Sequence, residues 1–141
     1  MDKKSVRSLT NYTWSDFDRD ILILCKVLHE KGITEKVSAI YGIPRGGLVL
    51  GVVLSHKLDK PLYTTISEVL VASTHGARVL IVDDISDTGS TLYQTVCHVG
   101  CFTCTLHYVR TSIFEPDVWI NEKKNDQWVV YPWEVKGGKH E

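Results

Sequence analysis

No apolar stretch in this sequence approaches the roughly 20 residues that a membrane-spanning helix needs. The longest runs, Ile21 to Leu24 and Leu48 to Leu54, suit a folded core instead. Charge of one sign is also missing: 16 basic and 17 acidic side chains leave a formal net charge of -1. That balance gives no support to binding nucleic acid or an anionic membrane. The opening residues, MDKKSVRSLTNY, contain no apolar segment of the secretory kind, so a cytoplasmic location is expected. Cysteine is sparse, and in a reducing compartment the four residues Cys25, Cys97, Cys101 and Cys104 predict no disulfide framework. Cys101 and Cys104, with Cys97, His98 and His107 nearby, invite a zinc reading. The stretch FTCTLHY alternates as a strand does, however, which turns Cys101 and Cys104 to opposite faces. Repeats and low-complexity segments are absent too.

What remains is 141 residues, 43% hydrophobic and 23% charged, enough for one domain around a single core and too few for two. The polar ends 1–11 and 136–141 are candidates for fraying. A first helix is predicted from about Ser15 to Glu30, with Ser15 as cap and Phe17, Ile21, Leu24 and Leu28 on one face. Val37 to Ile43 reads as a short buried strand that ends in the loop Pro44-Arg45-Gly46-Gly47, and Leu48 to Leu58 as an apolar helix. Leu62 to Ile66 reads as a second strand, continued by Val69 to Ala72. After a turn at His75-Gly76, Val79 to Asp83 is a continuous apolar strand. Thr91 to Val99 follows as a helix with Leu92, Val96 and Val99 inward and Gly100 as its stop. Phe102 to Val109 and Trp128 to Tyr131 complete the strands. Strands with uniformly apolar interiors, alternating with helices, predict an α/β domain with a mainly parallel sheet flanked by helices. Ligands of such sheets bind beyond the carboxyl ends of the strands, which selects two loops: PRGG, and the segment that follows Val82.

That segment, Asp83-Asp84-Ile85-Ser86-Asp87-Thr88-Gly89-Ser90-Thr91, carries the chemistry. Gly89 permits close backbone approach, Thr88, Ser90 and Thr91 supply hydroxyls, and the amides opening the next helix face the same spot. A monophosphate suits it. Asp83 and Asp84 close a buried strand, where unpaired carboxylates are costly. They suit ribose hydroxyls or Mg²⁺, a hard cation that prefers oxygen. Alone, each feature also fits a helix-capping turn with solvated acids; their fixed order argues for a sugar-phosphate site.

Val79 to Thr91, VLIVDDISDTGST, resembles the phosphoribosyl-diphosphate (PRPP) signature of the type I phosphoribosyltransferases. The resemblance covers nearly the whole chain, from the first helix to Glu134. Pro44 to Gly47 is similar to the family's pyrophosphate loop. Trp128-Val129-Val130-Tyr131-Pro132-Trp133-Glu134 is similar to the purine-binding terminus of its small xanthine/hypoxanthine/guanine members. The resemblance implies the type I fold and a Mg²⁺-dependent pentosyltransferase. Such an enzyme moves the phosphoribosyl group of PRPP to a 6-oxopurine, releases pyrophosphate and serves purine salvage. It implies that Asp87 to Thr91 hold the 5′-phosphate and that Asp83 and Asp84 hold the ribose hydroxyls, with Asp84 at the metal. It further implies that Asp87 handles the proton at purine N7 and that Arg45 and the Gly46 backbone meet pyrophosphate. By the same resemblance Trp128 stacks on the base, Val129 reads its edge through the backbone, and the Pro44–Arg45 peptide is cis. A homodimer or homotetramer is typical of the family.

Two departures stand out. Family members often carry a long flexible loop between the second strand and the PRPP signature, whereas Ser67 to Gly76 leaves room for only a reduced hood. The lysine that the family uses to read the 6-oxo group is matched here by Val109, with Arg110 one residue later as a candidate base contact. These departures keep open a second reading: a PRPP- or nucleotide-binding regulatory protein of the same fold with little turnover.

Overall fold

The structure, a computed structural model, describes residues 8–96 and 100–134. Strand β1 (Ser8–Asn11) leads into helix α1 (Trp14–Glu30). The helix opens on a capping box: the Thr13 hydroxyl accepts from the Asp16 N–H at 3.0 Å, and the Asp16 carboxylate accepts from the Thr13 N–H at 2.9 Å. Thr13 rather than Ser15 is therefore the cap. The earlier start makes Trp14 helical and sets its ring edge-on to Phe17, one turn away. Phe17, Ile21, Leu24 and Leu28 are buried along one face, each contributing roughly 1.5–3 kcal/mol by leaving water.

The short helix α2 (Ile33–Lys36) precedes β2 (Ala39–Gly42), then α3 (Gly46–Leu58), β3 (Leu62–Tyr63), α4 (Ile66–Thr74), β4 (Val79–Ser86), α5 (Ser90–Val96), β5 (Cys101–Tyr108), β6 (Val118–Glu122) and β7 (Gln127–Val130). Five strands form one sheet in the order β3-β2-β4-β5-β6, and every neighbouring pair is parallel. The alternation along β4 divides the core. Leu80 and Val82 join the cluster under α1 and α3, whereas Val79 and Ile81 join Val69 of α4 and Leu92 of α5 on the other face. Cys104 packs in the first cluster and Cys101 against the second, the opposite faces that alternation requires. Among the described residues no helix is long and apolar enough to cross a membrane.

Several elements differ from the sequence expectation. Residues 8–11 form a strand, because β1 lies parallel to β7 in the register Ser8 to Gln127 through Asn11 to Val130. Val69 to Ala72 belongs to a helix, not a strand. Thr65 and Glu68 form a second capping box, the Thr65 hydroxyl accepting from the Glu68 N–H at 3.3 Å and the Glu68 carboxylate from the Thr65 N–H at 3.2 Å. That cap outweighs the strand preference of Ile66, Val69 and Val71. Ser67 to Gly76 is thus mostly helix α4, packed on the sheet through Val69, which leaves no long loop before β4. β6 is a strand that periodicity did not mark. Strand β4 continues past Asp83 to Ser86 because β5 supplies partners as far as Tyr108. Of the helix predicted to Val99, residues 97–99 lie outside the described residues.

Candidate active site

The carboxyl ends of β2 and β4 bring the PRGG loop and the acid pair together. Asp83 and Asp84 are 5% and 9% exposed, so they sit inside the strand and not in a solvated turn. The Asp83 carboxylate accepts from the Asp84 N–H at 2.9 Å. Gly46 lies directly on the second acid: a Cβ there would stand 2.6 Å from Asp84 Cγ. At Gly47 a Cβ would meet the Val82 carbonyl at 2.5 Å. Helix α3 starts at Gly46, two residues earlier than periodicity placed it, so both closely seated glycines lie in its first turn. The Pro44–Arg45 peptide is cis, as expected, and exposed Arg45 caps α3 at the mouth of the site.

The segment after β4 is held in shape from a second direction. Ser86 Oγ donates to the Phe114 carbonyl at 2.8 Å and bonds Ser112 Oγ at 2.9 Å, while the Ile113 N–H donates to the Thr88 carbonyl at 2.9 Å. Gly89 takes φ +88° and is packed against residues 112–114. The Thr88 hydroxyl accepts from the Ser90 N–H at 3.2 Å. Asp87, Thr88, Gly89 and Thr91 line a small cavity of about 30 Å³ with Ser86 and Leu92. Rigid amides and hydroxyls around such a cavity are suited to an oxyanion.

Behind the acids, the buried Tyr131 hydroxyl donates to the Asp84 carbonyl at 3.2 Å and meets His107 Nδ1 at 2.8 Å. With the phenol proton directed at Asp84, Nδ1 must carry the proton of the second bond. Burial, reinforced by the charges of Asp84 and Asp83, pushes the Tyr131 phenol well above its ordinary range. It therefore stays a donor to the strand that carries the acids.

β7 places Val129 in the core, where it lines a cavity of about 240 Å³ with Tyr12, His107, Lys123 and Gln127. Trp128 alternates to the other face of the ribbon, half-buried and in register with Leu9. Arg110 is not brought to this cluster. It is exposed, its Nε donates to Glu122 at 2.9 Å, and its guanidinium lies 5.9 Å from the Trp119 ring. Val109 is buried, with its N–H donated to the Ser86 carbonyl at 3.1 Å. Lys123 escaped the sequence reading because Lys123-Lys124-Asn125-Asp126 looks like a solvated turn. It is 3% exposed, with Nζ 3.8 Å from Asp87 Oδ2. Among the described residues no three His, Cys, Asp or Glu side chains gather as a metal site.

Comparison with known proteins agrees with this geometry. The family model for the phosphoribosyl transferase domain matches residues 13–135. A xanthine-guanine phosphoribosyltransferase of Nitratidesulfovibrio vulgaris is 31% identical over 91% of this chain and 86% of its own length. Another from Cereibacter sphaeroides is 28% identical over 87% and 85%. A crystal structure of a purine phosphoribosyltransferase from Pyrococcus horikoshii superposes with a TM-score of 0.72 at 29% identity, covering 90% of this chain and 94% of that one. Its parallel sheet, its acid pair and a matching family model over most of its length give one answer: the chain belongs to the phosphoribosyltransferase family.

Proposed function

We propose that the protein transfers the phosphoribosyl group of PRPP to a 6-oxopurine (guanine, hypoxanthine or xanthine), giving the nucleoside monophosphate and pyrophosphate, a purine-salvage reaction. The observation that carries this reading is the seating of Gly46 on Asp84, which brings the PRGG loop against the acid pair at the end of the sheet where Asp87 to Thr91 follow β4. The purine substrates named for the relatives support the choice of acceptor.

In this reading the bond between the anomeric carbon and pyrophosphate breaks as the purine nitrogen bonds to that carbon, and oxocarbenium-like charge builds between them. The protein's part is positioning and electrostatics. Asp87 to Thr91 hold the 5′-phosphate, Asp83 and Asp84 the ribose hydroxyls, and Arg45 with the Gly46 N–H the leaving pyrophosphate. Trp128 stacks on the base, the Val129 backbone meets its edge, and Asp87 takes the proton at N7. Asp84, a carboxylate of the kind Mg²⁺ takes together with substrate oxygens, would hold the ion, which would supply charge neutralisation for the diphosphate.

The test is an assay of the purified protein with PRPP, Mg²⁺ and each of adenine, guanine, hypoxanthine and xanthine, reading nucleotide formed and pyrophosphate released. Turnover of at least one 6-oxopurine, abolished by EDTA, is expected. If no base yields nucleotide, the transferase reading is wrong. The regulatory alternative draws on α4, which fills residues 66–74 with packed helix where a closing loop would be wanted. It predicts that PRPP or a nucleotide raises Tm with no turnover.

A further inference from the structure

Asp84 is held at its main chain by the segment that carries the base-side residues. On the side of β4 that faces β2, the last strand donor is the Ile43 N–H, which reaches the Val82 carbonyl at 2.9 Å. The chain then turns away into α3. Two residues along β4, the Asp84 carbonyl takes a bond from the Tyr131 hydroxyl at 3.2 Å. A side chain thus stands in for a strand at the acid pair.

Tyr131 is built to hold that position. It is 1% exposed. Its ring stacks on Trp133 at 4.9 Å and lies edge-on to Tyr12 at 5.5 Å and to His107 at 5.4 Å. Its backbone is closed by Glu134, whose carboxylate accepts from the Tyr131 N–H at 2.8 Å and whose N–H donates to the Tyr131 carbonyl at 3.0 Å. Directly before it, β7 carries Trp128 and Val129, and the Val130 carbonyl accepts from the Tyr12 N–H at 2.9 Å. The phenol has a single proton. His107 Nδ1, 2.8 Å away, donates to the phenol oxygen and so directs that proton to Asp84. His107 itself is opposite Ile85 in the pairing of β4 with β5.

We propose that Tyr131 is a positioning residue, directed by His107, that fixes the Asp84 main chain against β7 and so keeps one spacing between the acids at the ribose and the strand at the base. This rests on the transferase reading given above. Asp84 stands on the PRPP side and Trp128 with Val129 on the base side, so a ligand that orders one side orders the other through this bond. Each ligand then raises the affinity of the other by the same factor.

Calorimetry measures that factor. PRPP is titrated in the presence of Mg²⁺, with and without saturating 9-deazahypoxanthine, a 6-oxopurine that cannot react because carbon replaces the bonding nitrogen. The wild type should bind PRPP roughly 5- to 150-fold more tightly with the analogue present. Tyr131→Phe keeps the ring and removes the hydroxyl, so the factor should fall close to 1, and kcat/KM for hypoxanthine should drop roughly 10-fold. Tyr12→Phe deletes another buried phenol hydroxyl, one bonded to Asp20, and should keep the wild-type factor. His107→Leu should lower the factor, and His107→Asn, whose amide places a donor near the Nδ1 position, should restore it. If Tyr131→Phe does not fold, the His107 pair decides.

A Tyr131→Phe protein with a lower Tm and an unchanged factor would make Tyr131 a packing residue only, and the proposal would be overturned. So would independent binding of the two ligands to the wild type, or an equal loss of coupling in Tyr12→Phe. Coupling that is lost in Tyr131→Phe, in a protein that makes no nucleotide, would sink the transferase reading and leave the Tyr131 link standing. Turnover of hypoxanthine with an unchanged factor in Tyr131→Phe would do the reverse.

Discussion

Gly89 and Gly76 share the left-handed backbone, at φ +88° and +82°, yet an alanine should affect them very differently. At Gly76 a Cβ meets nothing within 4 Å. Gly76→Ala therefore carries only the left-handed penalty of about 1–2 kcal/mol, offset by roughly 0.4–1 kcal/mol from a less flexible unfolded chain. At Gly89 the Cβ would stand 2.6 Å from the Phe114 nitrogen and 3.0 Å from that of Ile113, both backbone atoms that cannot swing aside. Overpacking adds about 1–3 kcal/mol, so Gly89→Ala should cost roughly 2–4 kcal/mol in all. In urea unfolding the two midpoints should separate clearly at equal m-value. Thermal melts should fall by a few degrees for Gly76→Ala and by on the order of 10 °C for Gly89→Ala. The second readout is functional. Ile113 and Phe114 are tied to Thr88 and Ser86, so pushing them away disturbs the phosphate loop. Gly76 precedes β4 at the opposite end of the sheet. PRPP affinity should drop for Gly89→Ala and hold for Gly76→Ala. Equal destabilisation, or wild-type PRPP binding by Gly89→Ala, would refute the claim that residues 112–114 clamp the loop.

Four further outcomes are expected. Gly46→Ala should displace the Asp84 carboxylate and abolish PRPP binding by calorimetry, while circular dichroism reports a folded protein. Asp87→Ala should lower kcat by about 10²- to 10⁴-fold, the usual span for an acid–base group, with PRPP affinity mostly retained; an equal loss of both would move Asp87 from the base to the phosphate. Tyr12→Phe removes the 2.7 Å bond donated to buried Asp20, which keeps Asn121 at 2.8 Å and Arg19 at 3.1 Å; urea unfolding should show a loss of about 1–2 kcal/mol. Burial, with Asp117 nearby, pushes the Cys101 thiol from 9.0 up to about 11. The unfolded chain then releases this proton at lower pH than the folded one. Stability should fall as pH rises from about 9 to about 11, by about 1 kcal/mol once solvent screening at this half-buried site is allowed for. Urea titrations across that window should show a shallower fall for Cys101→Ala.

Local rules made some elements readable in advance and hid others. The face of α1 through Phe17, Ile21, Leu24 and Leu28 follows from helical spacing, and the core of β4 from an unbroken apolar run. Helix α4 had its signal in plain view, Thr65 three residues before Glu68, but β-branched neighbours suggested a strand. β1 had none. All four of its residues are exposed, and it is a strand only because β7 supplies partners.

The two loops and their chemistry were legible before folding, since each depends on contiguous residues: glycines where the backbone must pack closely or turn left-handed, hydroxyls and acids in a fixed order after a strand. So was the family, by resemblance. Folding in three dimensions was needed to seat Gly46 on Asp84, to hold the loop around Gly89 with residues 112–114, to turn Arg110 to Glu122 and to bury Lys123 beside Asp87. Those relations join residues far apart in the chain through parallel pairing and close packing. Whether a lysine is a solvated surface charge or a buried donor depends on which strand ends beside it, and no local pattern records that.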